Sequence, residues 1–70
     1  MDTRYWTEHA RDGTTVTRHH AQLEIGRDGT TVATRSTLCG RTAGALSWHR
    51  GDRCELPWRP CRPCQEEATR

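Results

Sequence analysis

Arg11-Asp12-Gly13-Thr14-Thr15-Val16 recurs, residue for residue, as Arg27-Asp28-Gly29-Thr30-Thr31-Val32 sixteen positions later. Asp-Gly between residues of high strand propensity is a strong short-range hairpin signal, because both central positions of a type I′ turn need positive φ. Two such turns imply three strands. They fall at roughly residues 4 to 10, 15 to 25 and 30 to 38, an antiparallel meander in which Thr supplies much of the β-branching. The echo is too short for a solenoid, which needs longer units and more of them.

Outside this stretch the composition limits what can hold the chain together. The 70 residues include four Leu, two Val and one Ile, with no Phe, and such a chain makes at most one domain, residues 1–70. So few branched aliphatics belong to the range of disordered chains, yet three Trp and four Cys are more than a solvating segment needs. Something other than an apolar core is expected to hold the fold. The same few aliphatics cannot both fill an interior and line a substrate cleft, so no enzyme and no small-molecule substrate are expected. No long apolar run is present and Met1-Asp2-Thr3-Arg4-Tyr5-Trp6 is no export signal, which points away from a membrane and towards the cytoplasm. Thiols stay reduced there, so four Cys read as metal ligands before disulfides.

From Gly40 to Pro63 no period of either kind is sustained, and residues 39 to 64 are expected to form a loop and knuckle region. Residues 41 to 50 have weak helical character, and the tail 65 to 70 has room for one helical turn. Cys61-Arg62-Pro63-Cys64 has the Cys-x-x-Cys spacing at which a tight turn offers two thiolates to one metal. A redox dithiol shares that spacing but belongs to a strand-to-helix unit with a larger core. Cys39, followed by Gly40, is the best third ligand.

The fourth ligand depends on hairpin register. With a two-residue turn at Asp28-Gly29, facing positions of the second and third strands sum to 57, which sets His20 opposite Thr37 and on the face of Cys39. A bulge raising the sum to 58 puts His19 across from Cys39 instead. His20 is the preferred ligand, with His19 and Cys54 as alternatives. His9 and His49 read as solvated or packed residues. The expected cofactor is a single zinc ion, structural because four protein ligands leave it no open position.

A His of the 19–20 pair, a short hairpin, Thr37-Leu38-Cys39-Gly40-Arg41, a variable loop and Cys61-x-x-Cys64 together resemble the small zinc-finger proteins of actinobacteria and their phages. The all-Arg basic set and the Thr, Ala and Gly content suit GC-rich genomes of that kind. The resemblance spans residues 19 to 64 and implies a site of one His and three Cys in a bacterial or phage-infected cell. The layout is also similar to a zinc ribbon, with Ser36 standing where the first knuckle would have a Cys. That similarity implies a module docking on a larger protein machine such as a transcription complex.

The expected binding surface is Arg41, Trp48, Arg50, Arg53, Trp58, Arg59 and Arg62, a segment whose only acids are Asp52 and Glu55. Arg and Trp are favoured at protein interfaces, and they also grip phosphate and stack on unpaired bases, so direct nucleic-acid binding through 41 to 62 is the alternative. A secreted, disulfide-stapled module is the further alternative.

Overall fold

The computed structural model describes residues 4–44, 46–51 and 54–70. The three-stranded meander forms, with β1 at Tyr5–His9, β2 at Val16–Ile25 and β3 at Thr31–Thr37, but only the glycine of each Asp-Gly pair takes positive φ, so neither turn is type I′. Three further elements lie in and beyond the stretch expected to be loop, namely β4 (Trp48–Arg50), β5 (Trp58–Pro60) and α1 (Arg62–Ala68). Strand propensity at Trp48 and His49 is too short a signal to read alone. Here it is completed by the open edge of β1, against which β4 pairs antiparallel through Trp6↔Arg50 and Glu8↔Trp48. Pro63 sits in the first turn of α1, where its missing N–H costs nothing, and Gln65, Glu66, Glu67 and Ala68 are good helix formers.

β2 organises the sheet, whose order is β3-β2-β1-β4. Its first half pairs with β1, from Tyr5↔His20 to His9↔Val16. Over Val16, Thr17 and Arg18 it also pairs in parallel with β5 on its other edge. Its second half turns to β3. Leu23, Ile25 and Val32 remain exposed on that outer hairpin, so the core is small: Trp6, Ala21 and Ala43, with Ala33 and Trp48 against them. Val16 is buried apart from this cluster, beneath the β5 side.

The second hairpin departs from the expected register in two steps. Gly26 N–H bonds the Thr30 carbonyl at 2.7 Å, which makes a three-residue loop of Arg27, Asp28 and Gly29 and a sum of 56, as in Ile25↔Thr31. Beyond Leu23↔Ala33, β3 uses four residues to reach Thr37 while β2 uses two to reach Ala21, and the sum becomes 58. This irregularity has its own partners. The displaced Thr34 carbonyl accepts the buried indole N–H of Trp6 at 2.8 Å, and the Gln22 amide donates to the Thr37 carbonyl at 3.0 Å. The chain then folds straight back. Thr37 N–H bonds the Arg41 carbonyl (2.8 Å) and Ala43 N–H bonds the Arg35 carbonyl (2.6 Å), which buries Ala43 completely.

Candidate metal centre

Three pieces of chain converge beside the middle of β2. The first is His19, whose side chain is buried on the same sheet face as Trp6, its partner across the strands. The second is the tight turn from Thr37 to Gly40, closed by Gly40 N–H to the Thr37 carbonyl (3.0 Å), with Gly40 at φ 89, which a side chain would strain. Thr37 Oγ1 accepts the Arg41 N–H at 3.0 Å and lies 3.1 Å from Cys39 Sγ, so the turn holds its own sulfur. The third is the start of α1. Cys61 N–H bonds the Arg18 carbonyl (2.8 Å), which ties the helix entry to β2, and Cys64 is buried one turn later.

The ligand atoms of His19, Cys39, Cys61 and Cys64 all lie within 4.8 Å of one another, close enough to hold one metal ion. His19 Nδ1 is 3.6 Å from Cys39 Sγ and 3.8 Å from Cys64 Sγ. The three expected cysteines are thus together, but the histidine is His19 and not His20. Neighbouring strand residues point to opposite faces, and the register sum of 58 places the odd-numbered one towards Cys39. His20 instead stands over Tyr5 on the other face, ring centres 4.7 Å apart. Cys54, half-buried, lies outside the cluster formed among the described residues.

What orients His19 is a residue that no motif in the sequence marks. His19 Nε2 meets Glu8 Oε1 at 3.0 Å, and the same oxygen accepts Arg41 Nη1 at 2.6 Å. A carboxylate on the far nitrogen fixes the tautomer that leaves Nδ1 facing the sulfurs and makes it a stronger donor. The signal was available: the Arg11–Val16 turn sets Trp6 opposite His19, which leaves Glu8 one diagonal step away on the same face. Trp48 closes the site, its ring 4.7 Å from that of His19 and its far neighbour the Arg41 guanidinium at 5.1 Å.

The sulfurs are electrostatically unlike. Burial opposes the Cys39 thiolate, but hydrogen bonds from Thr37, His19 and Cys64 outweigh it and bring its pKa from 9.0 to about 6. Burial pushes Cys64 up to about 12, and its role as donor to Cys39 adds to that. A bound cation favours the thiolate form of each sulfur that holds it.

The expected Arg and Trp surface divides. Trp48 pairs with Glu8 and Trp58 pairs with Val16, the partner of His9, so the two indoles lie on opposite faces of the sheet. Arg41, half-buried Trp48, Arg50 and Arg59 belong to the metal face, where Arg41 is engaged with Glu8. Trp58 is half exposed on the other face, Arg62 opens the helix, and Arg53 lies outside the described residues. His9 and His49, expected to be solvated or packed, form a pair with Nε2 and Nδ1 3.0 Å apart.

Fold and site define a small β-rich domain with a curled, mostly antiparallel sheet and a compact His/Cys3 cluster able to hold one metal ion. No protein-family model, curated protein or solved structure matches the chain. No helix among the described residues is long and apolar enough to cross a membrane.

Proposed function

We propose that this chain is a non-enzymatic binding module whose fold is stapled by one structural zinc ion on His19, Cys39, Cys61 and Cys64. The observation that carries the reading is the spacing of the four donors. A tetrahedral zinc with Zn–S of about 2.3 Å and Zn–N of about 2.05 Å has sulfur-to-nitrogen edges of about 3.6 Å. The separations of 3.6 and 3.8 Å from His19 Nδ1 fit that figure. One nitrogen with three sulfurs is the donor set of structural zinc, and it leaves no position for water or substrate. Three alanines and two tryptophans make a thin core, whereas zinc modules gain roughly 10–16 kcal/mol on metal binding. The metal is therefore the main source of tertiary stability. Its work is to hold β5 and α1 against the meander and present the resulting faces to a larger partner in a reducing cytoplasm.

Native mass spectrometry of the untagged protein, purified under mild reduction, tests this. One zinc per chain, with chelation releasing β5 and α1 from the meander and removing only their share of the far-ultraviolet circular dichroism, is the expected result. A denatured mass short by four hydrogens establishes two disulfides and overturns it.

A further inference from the structure

The face of the sheet turned away from the metal carries a row of rings and cations that the staple does not use. The Arg18 guanidinium lies 3.7 Å from the centre of the Trp58 ring and 5.7 Å from that of Tyr5, and Tyr5 in turn stands against His20 at 4.7 Å. Strand pairing fixes this order. Tyr5 is directly across from His20, Arg18 is one diagonal step along β2, and Trp58 sits beside Val16 on β5. At the His20 end the row opens into two adjoining grooves, one of about 460 Å³ between β2 and α1 and one of about 410 Å³ bounded by Arg4, Tyr5, β2, Leu38 and Ala68. Arg62 lines the first and Arg4 the second; Glu66, on the helix side, is the one acid among the residues lining the two.

We propose that this face binds single-stranded nucleic acid, with Trp58 stacking an unpaired base and Arg4, Arg18 and Arg62 meeting the phosphates. The reading rests on the zinc-stapled module above and names its partner. Two features favour a nucleic-acid strand over a protein. Trp58 is 50% exposed and has the Arg18 guanidinium 3.7 Å from its ring centre, so it offers ring surface beside a positive charge. Cations also flank the row, with Arg62 and Arg4 at the grooves and Arg18 within it, and alternating rings and positive charge are what a strand of bases and phosphates requires. A duplex keeps its bases stacked inside and gains nothing from Trp58.

The test is fluorescence anisotropy of the full chain with a fluorescein-labelled oligothymidine of about 12 nucleotides, zinc content being measured on the same sample. Saturable binding near 50 mM salt, weakening steeply towards about 200 mM, is expected, with the duplex bound less tightly. Trp58→Ala is expected to weaken binding roughly 5- to 150-fold and Trp58→Phe to restore most of it. Arg62→Gln and Arg4→Gln should each reduce the salt slope by about 1, and Arg50→Gln on the metal face should leave affinity unchanged. A chain that retains its zinc and binds no strand overturns the proposal and gives the face to a protein partner. So does an undiminished affinity in zinc-loaded Trp58→Ala, or an equal loss in Arg50→Gln. Absence of zinc from a folded chain breaks the staple reading instead.

Discussion

The two copies of Arg-Asp-Gly-Thr-Thr-Val make the same turn and meet different fates. In both, the Asp carboxylate accepts the N–H of the Thr two residues on at 3.1 Å and the same Thr hydroxyl, at 2.9 Å from Asp12 and 2.7 Å from Asp28. Both glycines take positive φ, 73 and 84. Yet the first hairpin closes through Ala10 N–H to Thr15 and the second through Gly26 N–H to Thr30, one residue earlier in the repeat. Val16 ends 1% exposed and Val32 48% exposed. Local sequence determines the turn; what the strand lies beside determines register and burial. Val16 has β5 beside it, held there by the chain that leads into Cys61 and Cys64, and Val32 has solvent.

Removing the metal should therefore break one copy and spare the other. On chelation, or in Cys64→Ser, β5 is expected to leave the edge of β2. The Val16 amide, which donates to the Pro57 carbonyl at 3.0 Å, then loses its protection against hydrogen exchange while the already exposed Arg27–Val32 turn changes little. Equal loss at both turns would mean that the chain unfolds as one unit. The next effect reaches the site through the first hairpin alone. Glu8→Gln removes the carboxylate on His19 and should weaken zinc binding about 10- to 100-fold in a competition titration, with the emission of Trp48 reporting the site it covers. An unchanged affinity would show that Trp48 and the strand alone orient the imidazole.

The valines test burial directly. Val16→Ala is expected to cost about 2 kcal/mol in denaturant unfolding of the zinc-loaded protein, and Val32→Ala less than about 0.5 kcal/mol. Comparable losses would place the outer hairpin against a second surface in solution. Gly13→Ala and Gly29→Ala should then be alike, since each glycine has positive φ and neither has any atom near enough to meet a new Cβ. Each is expected to lose about 1 kcal/mol from backbone strain alone.

These contrasts also mark what the sequence tells. Three strands follow from two Asp-Gly pairs, because turn chemistry is local and carried by side chains two residues apart. Cys61, Cys64 and Cys39 are legible for the same reason: a knuckle is a short-range object, and a Gly after a Cys declares a turn. His19 over His20 was not legible, since it rests on a loop one residue longer than the shortest hairpin and on two extra residues in β3. Those serve Trp6 Nε1 and Gln22, groups distant in sequence. β4, β5 and the division of the Arg and Trp surface were hidden likewise. A three-residue strand carries almost no pattern of its own and exists because an edge of β1 or β2 is there to pair with it.

The smallest effect concerns the two aspartates. Hydrogen bonds to the carboxylates, from the Thr14 backbone N–H first at Asp12 and from the Thr30 hydroxyl first at Asp28, hold both below their ordinary 3.8. A carboxyl whose folded pKa is depressed contributes stability that is complete above 3.8 and disappears as pH falls through the lowered value. Both groups are fully exposed, so water screens the contribution to a small one. Asp12→Asn and Asp28→Asn should accordingly lower the melting midpoint of the zinc-loaded protein slightly and equally. The gap from the parent chain should stay constant between about pH 8 and pH 6, since both carboxylates are ionised throughout. Unequal losses would show that the charge of Asp12 acts on the buried end of β2 and not on its turn alone. Equal ones would establish that the two turns are energetically the same object, and that the difference between Val16 and Val32 arises beyond them.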